Sequence, residues 1–181
     1  VEDPKEQKKL STSKSLSEEQ ERQDLVSALE KEGVKSEYDP FHLKVLKISY
    51  IPSAQLNPHF MMKVKQLLAT FPALSELNLD FSRSNTFSHA NLSSLRGHPQ
   101  LKYLSCLRLN LQNCVEVGNQ AVSEISKILS DMKELADLRL DFRDCVKIED
   151  VALKELGITL IDKANRLKCL RLALTNCEKV G

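Results

Sequence analysis

Three cysteines recur at a near-constant interval: Cys114, Cys145 and Cys177 stand 31 and 32 residues apart. Clustered thiols are the usual material of a zinc site, which needs close ligand pairs such as Cys-x2-Cys. None of the 5 cysteines forms such a pair, and Cys106 and Cys169 lie in a different position of the same period. His42, His59, His89 and His98 share no spacing with one another or with a cysteine, and read as surface or cap residues. No serine sits in a nucleophile elbow. None of the 5 glycines falls in a G-x-G-x-x-G or G-x4-G-K-[ST] phosphate loop. The paired carboxylates Glu149–Asp150 stand at the start of a helical pattern, where negative charge favours the helix dipole. The residues therefore point to no enzyme chemistry, no metal and no cofactor.

The elements that position these residues repeat as well. Five segments obey L-x-x-L-x-[LI]: Leu43–Leu46–Ile48, Leu74–Leu77–Leu79, Leu104–Leu107–Leu109, Leu135–Leu138–Leu140 and Leu167–Leu170–Leu172. Their first leucines are spaced 31, 30, 31 and 32 residues apart. Alternation of this kind predicts a short strand with one buried face. After each strand come a turn and an amphipathic segment. In the fourth repeat the pattern predicts a strand over 137–142, a turn at Asp144–Ile148 and a helix from Asp150 to Ala164. Asn119 is expected to cap the third helix over Val122, Ile125, Ile128, Leu129 and Met132. Asn57–Pro58 is expected to open the first, ahead of Phe60, Val64, Leu67, Leu68 and Phe71. A short second helix near Ser88–Arg96 ends at Gly97 and Pro99.

The segments LSCLRLNLQNCVEV, LADLRLDFRDCVKI and LKCLRLALTNCEKV align without gaps from residues 104, 135 and 167. They share L-x-x-L-R-L-x-[LF]-x-x-C-x-x-[VI], and in this the chain resembles the leucine-rich repeat superfamily. It is similar to the long intracellular varieties, the ribonuclease-inhibitor-like and cysteine-containing repeats. The resemblance spans residues 41–181, with Ser84 and Ser53 in place of the cysteine in the first two repeats. It implies an α/β fold, a right-handed solenoid with a parallel concave sheet of about five strands and helices on the convex face. It also implies that the repeated cysteine is a buried ladder supporting the loop. Neighbouring thiols such as Cys114 and Cys145 come near each other in such a stack without implied disulfide geometry.

Side chains alternate along a strand, so the residues between the core leucines face the open side of the sheet. The middle row is Lys47, Asn78, Arg108, Arg139 and Arg171. One flanking row is Val45, Glu76, Cys106, Asp137 and Cys169; the other is Ser49, Asp80, Asn110, Asp141 and Ala173. The candidate partner-binding set is Lys47, Glu76, Asn78, Asp80, Arg108, Asn110, Asp137, Arg139, Asp141 and Arg171. Two readings compete. The arginines pair with Asp80, Asp137 and Asp141 in solvent, each pair contributing under ~1 kcal/mol, or they form a recognition stripe that uses the planar guanidinium fork.

Residues 1–16 are charged and serine-rich and are expected to form a flexible tail. Ser17–Gln20 fits a capping box, followed by a helix over 18–32 bearing Leu25, Val26 and Leu29. Gly33 then stops it, and residues 17–40 form a helix and linker that cap the first repeat. The repeats fill 41–181, the last incomplete. Because the chain stops in the fifth turn, it is expected to be a piece of a longer one, or to dock that end on another subunit. With 26 basic against 25 acidic residues, the net charge is +1. That balance argues against a nucleic-acid binder or a polybasic membrane anchor. No apolar run approaches the ~18 residues of a membrane span, and cysteines that follow a repeat favour a reducing, intracellular and cytoplasmic setting. The function expected is a protein–protein interaction or assembly scaffold. Alternatives are a regulatory subunit of the GTPase-activating or ubiquitin-ligase substrate-receptor type, although no exposed loop arginine or adaptor-binding box marks either, and a structural component of a large particle.

Overall fold

A computed structural model describes residues 4–51, 59–163 and 165–181. Helix α1 (Pro4–Glu30) leads into strand β1 (Val34–Tyr38), and β2 (Val45–Tyr50) follows. Then come α2 (Phe60–Ala69), β3 (Glu76–Asp80), α3 (His89–Ser93), a 3₁₀ turn (Pro99–Tyr103) and β4 (Cys106–Asn110). The chain ends with α4 (Asn119–Asp131), β5 (Asp137–Asp141), α5 (Asp150–Lys163) and β6 (Cys169–Ala173). The fold is α/β, with one six-stranded sheet in the order β1 to β6.

Strands β2 to β6 run parallel, in the register the leucine spacing requires. Leu46, Leu77, Leu107, Leu138 and Leu170 stand side by side, as do Lys47, Asn78, Arg108, Arg139 and Arg171. One strand does not belong to the repeat. The linker expected over 34–40 contains β1, which pairs antiparallel with β2 (Ser36 opposite Ile48). Its alternating Val34, Ser36 and Tyr38 is short, but β2 offers an edge on which it completes its hydrogen bonds. Gly33 does stop α1, with a positive φ of 79°.

The sheet is not curled, so the expected concavity is absent. A strand–helix stack bends because helices need ~8–10 Å each while strands need only ~4.8 Å. Here α3 is five residues long, and the thin helix layer at that point relieves the mismatch. Three other expectations are corrected. Residues 4–16 belong to α1 rather than to a flexible tail. Pro4 is suited to the first helical position, and the Glu, Gln and Lys residues after it are good helix formers. Ser17–Gln20 consequently lies inside the helix and caps nothing. Helix α4 is capped by Gly118, with Asn119 as its first residue; Gly118 passes so close to Lys147 that a Cβ there would meet the Lys147 Cβ at 3.0 Å. The Asn119 side chain instead links to the next repeat, accepting the Glu149 N–H at 2.9 Å and donating to the Glu149 carboxylate at 2.9 Å. The expected Asn57–Pro58 cap and Ser53 lie outside the described residues.

One buried cluster joins the sheet leucines to the helices. Leu46, Leu77, Leu107 and Leu138 on the strands pack with Leu67, Leu68, Ile125, Leu129 and Leu156 on the helices. At β6 the equivalents Leu170 and Leu172 are 46% and 39% exposed. Among the described residues, no helix is long and apolar enough to cross a membrane.

His98, expected at the surface, is 7% exposed. Its Nε2 lies 3.1 Å from the Lys65 carbonyl and must carry the proton as donor; Nδ1 is buried without a partner. Burial holds the imidazole below its ordinary pKa of 6.5. The unfolded chain therefore takes up this proton first, so stability is full above about pH 6.5 and falls as pH drops below it toward the folded-state value. The urea midpoint is expected to fall between pH 7 and pH 5, and to fall less in His98→Gln. Equal losses in both proteins would exclude this site as the source.

Candidate functional site

The open face of the sheet gathers all ten residues of the candidate set in one plane, ordered by the register of β2 to β6. With Glu37 from β1, the middle row borders a continuous open space of about 830 Å³. The arginines are paired in part, and not all as expected. Arg139 grips Asp137 with Nη2 at 3.0 Å and Nε at 3.2 Å, and this fork holds the Asp137 carboxyl below its ordinary pKa. Arg108 turns to Glu76 at 2.6 Å rather than to Asp80, because Glu76 on the neighbouring strand has the longer reach. Asp141 pairs with Arg143 at 2.6 Å, an arginine outside the set. Among the described residues, Lys47 and Arg171 form no ion pair.

The third row has a second task. The side-chain oxygens of Asp80, Asn110 and Asp141 accept the backbone N–H groups of Ser82, Gln112 and Arg143 at 3.0, 3.1 and 3.1 Å. These are Asx turns, in which a short polar side chain replaces a backbone acceptor as the strand ends. One signal was available for them: an Asp or Asn directly after the final leucine of three successive strands. The turns then pass through left-handed backbone at Arg83 (φ 63°), Asn113 (56°), Asp144 (63°) and Asn176 (61°). Asn and Asp tolerate that conformation well and Arg does not. Arg83→Asn is expected to raise stability by about 0.5 kcal/mol, read as an upward shift of the melting midpoint; a lower midpoint would show that the Arg83 side chain matters more than its backbone.

Beneath these turns runs the thiol ladder. Cys114, Cys145 and Cys177 donate to the carbonyls of Phe81, Leu111 and Phe142, one repeat back, at 3.0, 3.1 and 3.1 Å. Burial pushes the Cys114 thiol up to about 12 and the Cys145 thiol up to about 11, which leaves almost no thiolate at neutral pH. Ser84 stands at the same position and accepts the Phe87 N–H at 3.1 Å. Cys106 is buried and Cys169 half-buried on the open face, and all five cysteines are free. In folded protein at pH 8, iodoacetamide is expected to label Cys169 first and to leave Cys114 and Cys145 unmodified, as read by peptide mass spectrometry. Early labelling of Cys145 would contradict the ladder.

No protein-family model and no curated protein matches this chain. The chemistry open to the face is thus read from its own groups: planar guanidinium donors, an ammonium, and carboxylates largely tied to neighbours. These groups bind and orient. Among the described residues, no group of three or more His, Cys, Asp or Glu is placed to hold a metal ion.

Proposed function

We propose that the chain is a stack of leucine-rich repeats whose open sheet face binds another protein, without catalysis of its own. The observation that carries this reading is the middle row of β2 to β6. There the in-register strands present four long cationic side chains, and Lys47 and Arg171 have no ion-pair partner among the described residues. Arginine-rich rows suit protein interfaces, because a guanidinium combines apolar stacking with forked hydrogen bonds. The acids on both flanks disfavour a uniformly charged polyanion and favour a surface of mixed charge. Thiols buried as donors to carbonyls fit a reducing, intracellular and cytoplasmic setting.

A photo-crosslinking amino acid at Asn78, on the open face, tests the reading against one at Gln120, on the exposed side of α4. Crosslinking of a discrete protein from Asn78 and not from Gln120 is the expected result. Capture only from Gln120 would move the binding surface to the helices.

A further inference from the structure

We propose that the open face recognises an extended acidic peptide, with carboxylates at alternate positions lying over the row from Lys47 to Arg171. The inference rests on the open face being the binding surface and names the chemistry of its ligand. Charge bookkeeping along the row carries it. Asp137 and Glu76 occupy one edge of Arg139 and Arg108. Nη2 of Arg108 and Nη1 of Arg139 make none of these bonds, and the Arg108 Nε is buried without an acceptor. Lys47 and Arg171, at the two ends, form no ion pair among the described residues. The acids that might neutralise the row hold their ion pairs with other residues: Asp141 with Arg143, and Glu37, which stands opposite Lys47, with Lys35. Asp80 is the one acid of the lining without a cation, and its Oδ1 accepts the Ser82 N–H.

The dimensions agree with an extended chain. Four inter-strand steps separate Lys47 from Arg171, or about 19 Å at ~4.8 Å per step. Same-side residues of an extended peptide recur every ~6.7 Å, so carboxylates at i, i+2, i+4 and i+6 cover about 20 Å. The outer two meet Lys47 and Arg171, and the inner two fall within reach of Arg108 and Arg139. A nucleic acid fits less well, because its charged backbone would lie against Glu76 and Asp137 on one side and Asp80 on the other.

The test uses fluorescence anisotropy at low salt, with a labelled seven-residue peptide carrying Glu at alternate positions. Its Gln counterpart and a thymidine oligonucleotide of equal length serve as competitors. The Glu peptide is expected to bind, and the Gln peptide to bind at least ~10-fold more weakly. Arg171→Glu is expected to cost at least ~10-fold. Lys102→Glu, an equal charge change on the 3₁₀ turn, should leave affinity within about twofold, and thermal melting of each variant should match the parent because neither side chain is buried. Equal binding of the Gln peptide, tighter binding of the oligonucleotide, or affinity unmoved by Arg171→Glu would each overturn the acidic-peptide inference. Failure of the peptide while Asn78 still crosslinks a protein would reject the inference and leave the binding face standing. Failure of both would remove the face itself.

Discussion

Arg22→Ala is expected to lower the unfolding free energy by about 3 kcal/mol, from lost charged hydrogen bonds to Thr70 and lost packing of a buried side chain. The Arg22 residue is 3% exposed, yet each of its three guanidinium nitrogens has a partner. It pairs with Glu19 and donates to the Thr70 carbonyl at 2.8 Å and the Thr70 hydroxyl at 3.2 Å. Its carbon centre lies 5.3 Å from the Phe71 ring and 5.8 Å from the Tyr38 ring. One side chain thereby ties α1 to the end of α2 and to β1. Truncation leaves the Glu19 carboxylate without its cation and uncovers the touching Tyr38 and Phe71 rings. Lysine restores the charge but neither the fork nor the stacking, so Arg22→Lys should recover only a minor part. Urea unfolding monitored by circular dichroism measures both, and a loss under about 1 kcal/mol for Arg22→Ala would show that α1 is held by its apolar stripe alone.

A loss of similar size, about 3–5 kcal/mol, is expected for Phe81→Ala, a large-to-small change in a closed core. Phe81 is 0% exposed. Its ring stacks on Phe87 at 4.5 Å between centroids and meets Phe60 at 5.3 Å. The surrounding repeat compensates for the short α3 by filling the core with these three aromatics. Phe81 is also a rung of the turn ladder: its N–H donates to Asn110 at 2.9 Å, and its carbonyl accepts the Cys114 thiol at 3.0 Å. Leucine occupies this position in the next repeat, as Leu111. Phe81→Leu should therefore keep the ladder and cost under about 1.5 kcal/mol. Equal losses for alanine and leucine would mean that ring stacking, rather than volume, sets the stability here.

What the sequence discloses is divided by the range of the forces involved. The parallel register of β2 to β6 was legible because each strand buries one face and a one-residue slip would expose every leucine. Leu46, Leu77, Leu107 and Leu138 at a common interval admit only one alignment. The row assignment on the open face follows from the same alternation. Strand β1 was not legible, since Val34, Ser36 and Tyr38 acquire their pattern only beside the edge of β2. The start of α1 was missed for the opposite reason: residues 4–16 favour a helix locally but carry no apolar stripe of the kind Leu25, Val26 and Leu29 form later in it. The buried position of His98 depends on the turn of chain after α3, which no spacing reveals. Ion pairing on the face was half legible. Arg139 and Asp137 belong to one strand, whereas Arg108 chooses between Glu76 and Asp80 by side-chain reach. The Asx role of Asp80, Asn110 and Asp141 had a visible signature, but these residues read equally well as partner contacts.

The binding face itself is most directly tested by measuring the affinity of a crosslinked partner for two double variants of equal charge change. Lys47→Glu with Arg171→Glu alters the two ends of the middle row, while Lys102→Glu with Lys154→Glu alters the 3₁₀ turn and the exposed side of α5. All four side chains are exposed, so both variants should melt with the parent. Loss of at least ~100-fold in affinity for the first pair, with the second within about twofold, is the expected result. Full affinity of the first pair together with loss in the second would contradict the assignment of the sheet face and place recognition on the helices.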